Sequence, residues 1–397
     1  PRNGPMRRLP ALMLARLRRL AWTGFWLTVA PGASVPLVAA AQTAVPQPVA
    51  ADCSRAAADA CLQAIDLPGG AGRLPYYASR QPGDGGPPPT RLLLVMHGHP
   101  RDANRSFDAA LQALAGTGHA AHTLVVAPLF PVPADQAGRC STPGVPAAAP
   151  GDALWTCGSW LAGGDSRGER PISSFAALDA LLAALAQRWP GLHEATLAGF
   201  SAGAQMLQHR IGFAADAPPG WRLRYVIADP GTWLYFDPER LAPAADAAAP
   251  DWDGCLTPDG TGLAAGCRWQ PVPAATLAGC PGYDDWKYGT RNLPAALGRS
   301  AAEARARYAA ADIHRLEGAL DSGTGRGTAA RVLDKSCAAM LQGPYRLQRG
   351  LAHAAYEQQV LKPPGARSFA VVPGCAHDVA CVLPSAAGRA AMFGGER

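Results

Sequence analysis

The sequence predicts an α/β fold with a mostly parallel central sheet flanked by helices and a disulfide-containing cap insertion. Three observations predict it. Short continuous apolar runs recur along the chain, helix-patterned segments separate them, and one run hands a serine to a glycine-flanked turn from which a helix departs.

A leader precedes these elements. Residues 1–44 read as a signal peptide: a cationic start over residues 6–19 is followed by an apolar stretch over 20–41 that closes on Ala39, Ala40 and Ala41, the small residues a signal peptidase accepts. Pro31 and Pro36 interrupt that stretch, which favours removal over a retained membrane anchor. The expected location is therefore secreted or periplasmic, with no membrane association after cleavage. Residues 45–90 are rich in proline, glycine and alanine and read as an N-terminal extension or linker, with a hinge at residues 83–89 (GDGGPPP). The folded domain is then expected over residues 91–397.

Within it, residues 91–96 (RLLLVM) form the first apolar run, as expected of a strand buried on both faces. Further runs lie at 123–127, 195–200, 223–228 and 368–372, with a sixth at 312–320. Residues 106–115, 173–189, 202–211, 300–310 and 329–360 have helical spacing, and Ser106 and Ser173 stand as candidate N-caps. Alternation of this kind implies right-handed crossovers and parallel pairing. Residues 230–299 lack the rhythm and read as an insertion covering one end of the sheet. Eight aromatics fall between Trp233 and Tyr288, about twice the density of the whole chain; most are expected to form the insertion's own core.

The 397 residues are 48% hydrophobic, enough to bury a large core. The net charge of +6 equals the six arginines of the leader (Arg2, Arg7, Arg8, Arg16, Arg18 and Arg19), so the remainder carries no formal charge. No basic stripe with interleaved aromatics follows, and nucleic acid is not an expected partner. Ten cysteines behind a leader favour disulfides. Short spacing suggests Cys53 with Cys61, Cys140 with Cys157, Cys255 with Cys267 and Cys375 with Cys381, leaving Cys280 for Cys337. No CxxC pair exists and no cysteine lies beside a suitably spaced histidine pair, so no metal is expected.

Residues 199–203 read GFSAG. With 44 glycines in the chain a GxSxG match is weak alone, and residues 164–168 (GDSRG) give a second one. Context separates them. A nucleophile elbow needs a strand entering and a helix leaving, and only GFSAG lies between ATLA and AQMLQ. Ser201 is the candidate nucleophile and Ser166 a loop serine. Among nine histidines, His377 stands after the last apolar run in the turn PGCAHDVAC, where the base of such an arrangement belongs. The oxyanion would be held by backbone N–H groups: that of Ala202, next to the nucleophile, and that of His99 in the HGHP loop at 97–100. For the acid, Asp321 follows the 312–320 run and opens the turn SGTG, while Asp229 follows YVIA one run earlier; Asp321 is favoured because Asp229 leads at once into Pro230. Asp378 adjoins the histidine and would point away from its far nitrogen.

The HGHP loop, the GFSAG elbow and a histidine after the final run, in that order, make the chain resemble the α/β-hydrolase superfamily over residues 91–393. The likeness extends to a serine-hydrolase branch with the HGxP form of oxyanion loop, and more loosely to secreted esterases and polyester depolymerases. The resemblance implies hydrolysis of a carboxylic ester, small or polymeric, through an acyl-enzyme intermediate without a cofactor. The cysteines and the 230–299 insertion depart from the general pattern. A peptidase or amidase using the same three side chains is the alternative, and a non-catalytic binding protein on the same scaffold is disfavoured by the retained serine and histidine.

Overall fold

A computed structural model describes residues 52–244 and 251–394; the leader expected over residues 1–44 lies outside them. The chain divides into two units, 1–49 and 50–397, and the described residues fall in the second.

The main sheet has eight strands: β1 (Leu62–Asp66), β2 (Arg73–Ala78), β3 (Arg91–Met96), β4 (Thr123–Pro128), β5 (Glu194–Phe200), β6 (Arg222–Ala228), β9 (Asp312–Gly318) and β10 (Arg367–Val372). They are ordered β1-β2-β4-β3-β5-β6-β9-β10. The pairs β1–β2 and β2–β4 are antiparallel and all the others parallel. A separate antiparallel pair joins β7 (Leu241–Pro243) to β8 (Trp269–Pro271). The helices are α1 (Ala103–Leu114), α2 (Ala134–Ala137), α3 (Ser174–Arg188), α4 (Ala202–Arg210), α5 (Ala274–Ala278), α6 (Ala301–Ala310), α7 (Cys337–Met340), α8 (Arg346–Tyr356), α9 (Val379–Val382) and α10 (Ala386–Phe393).

The apolar runs are continuous because both faces of the sheet are covered. Leu92, Leu94 and Met96 of β3 enter a core shared with α3, α4, α6 and α8, while Leu93 and Val95 enter a second core with α1, α9 and α10. A strand with side chains alternating between two dry cores has no polar face to display. Ser173 caps α3 as expected, its side chain accepting from the Ala176 N–H at 3.1 Å. Among the described residues no helix is long and apolar enough to cross a membrane.

Four expectations change. The sheet begins at Leu62, not at residue 91: β1 and β2 arise inside the stretch taken for a linker, and Leu74, Tyr76, Tyr77 and Ala78 are buried there. Gly72, at φ 101°, makes the turn between them, where a Cβ would come within 2.9 Å of the Gly151 carbonyl oxygen. Ser106 is not a cap; α1 starts three residues earlier, and Ser106 is buried inside it. The 329–360 helix is broken at Gly343 and Pro344 into α7 and α8, because Gly343 adopts φ 136° and proline cannot continue a helix. Finally, the 230–299 insertion is only partly a cap. Trp233, Tyr235 and Phe236 are buried in the main core, and the Thr261 carbonyl accepts from the Val371 N–H at 2.8 Å, so this segment covers the outer edge of β10.

All five expected disulfides are present: Cys53–Cys61, Cys140–Cys157, Cys255–Cys267, Cys280–Cys337 and Cys375–Cys381. The Cys280–Cys337 bridge ties the insertion to the segment after β9.

Candidate active site

Strand β5 lies in the middle of the sheet between β3 and β6, and its chain turns sharply at Ser201 into α4. Ser201 adopts φ 56° and ψ −119°, a costly conformation for a residue with a Cβ. Its neighbours explain the glycines. A Cβ on Gly199 would lie 2.6 Å from the Ala204 backbone nitrogen, and one on Gly203 would lie 2.5 Å from the carbonyl oxygens of Met96 and His97. The Ser201 N–H donates to the Ala228 carbonyl at 2.9 Å, anchoring the turn on β6.

Two further turns converge on this one. After β9, the Leu320 N–H donates to the Cys375 carbonyl at 2.8 Å and the Asp321 N–H to the Gly318 carbonyl at 3.0 Å, which folds Asp321 back over the strand end. After β10, Gly374 turns the chain at φ 75°, the Cys375–Cys381 bridge closes the loop around His377, and the His377 N–H donates to the Gly327 carbonyl at 3.1 Å. The outcome is a continuous line. His377 Nδ1–H donates to Asp321 Oδ2 at 2.7 Å, and Nε2 accepts from Ser201 Oγ at 2.8 Å. The tautomer follows from the partner, since an ionised carboxylate only accepts. The His377 and Asp321 side chains are 8% and 2% exposed, and burial pulls the imidazole below its ordinary pKa, opposed by the Asp321 hydrogen bond.

Asp321 also pairs with buried Arg346, whose Nη1 donates to Oδ1 at 3.1 Å and to the Thr328 carbonyl at 2.8 Å. Asp229, the other candidate acid, is fully buried near this pair. Its Oδ1 accepts from the Gly318 N–H at 2.8 Å, while the His377 Nδ1–H goes to Asp321. Burial first, and then the Asp321 charge, raise its carboxyl above the usual carboxylate range. Asp378 accepts from the Ala380 N–H and caps α9 instead of facing the imidazole. Asp229, Asp321 and His377 are also the one group among the described residues whose possible metal-ligand atoms lie within 4.8 Å of one another. The Nδ1 proton and the Arg346 guanidinium already occupy the Asp321 oxygens that a cation would need.

The HGHP loop packs against the elbow. His97 is fully buried; its Nε2 accepts from the Phe130 N–H at 3.2 Å, so Nδ1 carries the proton and donates to the Gly98 carbonyl at 2.8 Å. Burial pushes this imidazole down to about 4, keeping it neutral. The Arg101 N–H also donates to that carbonyl, at 3.0 Å, and Asp102 Oδ1 accepts from the Gly98 N–H at 2.7 Å. With the Gly98 carbonyl pinned, a planar trans peptide points the His99 N–H the opposite way. Ala202 opens α4, where first-turn N–H groups have no acceptor within the helix. These are the two donors named from the sequence. Ser166 is placed apart from them: its Oγ accepts from the Ile172 N–H at 3.0 Å in a buried loop.

Arg346, the orienting role of His97, and Glu317, fully buried at the end of β9, escaped the sequence. Arg346 and Glu317 carry no local motif, since their partners lie tens of residues away; only the HGHP pattern offered a signal for His97.

No family model matches the chain, and no curated protein matches it. Solved structures do. Poly(aspartic acid) hydrolase-1 from Sphingomonas sp. KT-1 is 19% identical, with 80% of this chain and 94% of that one covered at a TM-score of 0.49. A poly(3-hydroxybutyrate) depolymerase from Bordetella parapertussis is 19% identical, with 80% and 86% covered at 0.47. A siderophore hydrolase from Aspergillus nidulans is 13% identical, with 83% and 94% covered at 0.40. At such scores the chain's own topology decides: eight strands in this order with an antiparallel second strand, a strained serine after β5, an aspartate after β9 and a histidine after β10 make it an α/β-hydrolase in fold.

Proposed function

We propose that the chain is a serine hydrolase that cleaves a carboxylic ester through an acyl-enzyme intermediate. The observation that carries this reading is the unbroken hydrogen-bonded line from Ser201 Oγ through His377 to Asp321, at 2.8 and 2.7 Å. In this mechanism His377 Nε2 takes the Oγ proton as Oγ attacks the ester carbon. The carbonyl oxygen becomes an oxyanion held by the N–H groups of His99 and Ala202. His377 then gives its proton to the departing alkoxide, which leaves as the alcohol and strands the acyl group on Ser201. Water, deprotonated by the same nitrogen, attacks the acyl carbon and releases the acid. Asp321 keeps the proton on Nδ1 and stabilises the imidazolium.

A polymeric ester is the second reading of the substrate. Leu320, adjacent in sequence to Asp321, is 56% exposed, an apolar side chain that an extended hydrophobic substrate would cover. Five disulfides favour an oxidising compartment, in keeping with a secreted or periplasmic enzyme.

Ser201→Ala is expected to abolish ester hydrolysis and labelling by a fluorophosphonate, a loss of up to about a millionfold, while Ser166→Ala does little. The assay is a panel of p-nitrophenyl esters of increasing chain length beside peptide and polyester substrates. Labelling retained by a folded Ser201→Ala protein overturns the reading, and faster turnover of peptides than of esters transfers it to a peptidase.

A further inference from the structure

The negative charge that faces His377 does not come from Asp321 alone. Asp321 is bound on one side by His377 and on the other by Arg346, so the Asp321–Arg346 ion pair by itself is neutral. Behind it lie two more carboxyls, Asp229 and Glu317, both fully buried. They are in hydrogen-bonding contact with each other, and among the described residues Asp229 Oδ2 and both Glu317 oxygens find no other donor. Two buried carboxylates in contact cannot both ionise; the pair must hold a proton between them. The sequence builds this contact from adjacent residues: the Gly318 N–H, next to Glu317, donates to Asp229 Oδ1 at 2.8 Å. Gly350 of α8 leaves room for the Glu317 side chain, since a Cβ there would stand 2.2 Å from Oε1.

We propose that Asp229 is a positioning residue for the reaction proposed above: paired with Glu317 over one shared proton, it supplies the net negative charge that sustains the His377 imidazolium, because the charge of Asp321 is already balanced by Arg346. The inference rests on the serine-hydrolase reading. The charged groups facing the site are Asp321, Arg346, Asp229, Glu317 and, at the exposed edge of the loop, Asp378. With one proton on the pair, the buried groups sum to a single negative charge, and an imidazolium brings them to neutrality. Removing Asp229 leaves the imidazolium as an uncompensated buried cation. Consistent with this, burial raises Glu317 well above the usual carboxylate range, with Asp229 adding to the rise.

The test titrates His377 by NMR in histidine-labelled full-length protein and compares it with the pH dependence of kcat/KM. Asp229→Leu, which leaves Glu317 as a lone buried carboxyl that must keep its proton, is expected to lower the His377 pKa and the acid limb of kcat/KM together by about one unit, with a plateau loss of about tenfold. Glu317→Leu removes the only donor to Asp229 Oδ2, so Asp229 takes the proton itself and the limb shifts in the same direction. Glu317→Gln, whose amide donates but cannot ionise, restores the limb to the position found with Glu317. An unshifted His377 titration in folded Asp229→Leu overturns the proposal; if that variant does not fold, equal limbs for Glu317→Leu and Glu317→Gln overturn it. The NMR titration needs no turnover, so failure of the serine-hydrolase reading, seen with Ser201→Ala, is distinguished from failure of this one.

Discussion

Asp321 serves two partners with two oxygens, and its replacement should separate orientation from folding. Asp321→Asn keeps the shape but cannot hold Nδ1–H in the same way, and is expected to cost up to about ten-thousandfold in turnover with the fold intact by circular dichroism. A loss of that size in Asp229→Asn instead would move the acid to the earlier strand. The pH dependence has a definite sign. His377 must be neutral to accept the Ser201 proton, and burial lowers its pKa, so the acid limb of kcat/KM should fall below the ordinary 6.5 and activity should persist on its acidic side. A limb above 6.5 contradicts that burial. The placement of Ser201 beside His377 was legible because local patterns, a strand before and a helix after or a turn between cysteines, tell where a residue stands. Asp229 and Glu317 were not legible as a pair: their contact exists only once β6 and β9 lie side by side.

The loop after β10 is a short element with a large effect. The Cys375–Cys381 bridge closes a span of six residues around His377. A loop that short contributes about 2 kcal/mol in the chain-entropy account, yet it fixes the base. Mild reduction should therefore lower ester hydrolysis while the far-ultraviolet circular dichroism stays unchanged. Simultaneous loss of both signals would show that the bridge supports the whole fold. The same scale explains which elements could be read. Strands β3 to β6 were found because their apolar runs are continuous. Strands β1 and β2 were hidden by Pro75 and the glycines around them, although Tyr76 and Tyr77 are as buried as the central strands. The helix expected over 329–360 shows the opposite error: alanine content outweighed the Gly343–Pro344 interruption.

For the molecule as a whole, the buried histidines set its tolerance of acid. Burial pushes His97 and His209 from 6.5 down to about 4. In that window the unfolded chain binds protons that the native state refuses, so the stability they contribute is complete above pH 6.5 and is lost as the pH falls towards about 4, by up to about 3 kcal/mol each. Thermal melts across this range should show the decline, and His209→Gln should flatten it; a melting temperature constant from pH 6.5 to 4 would contradict the burial of both rings. The order of strands has a different consequence. Ser201 lies in the middle of the sheet, but Asp321 and His377 arrive on its last two strands, β9 and β10. During synthesis from the N-terminus the nucleophile emerges long before its base, and a nascent or truncated chain lacking β10 presents a serine with no means of deprotonation. On the proposed reading, labelling of Ser201 by a fluorophosphonate therefore reports that the final strand has docked, and a chain ending before β10 should not be labelled.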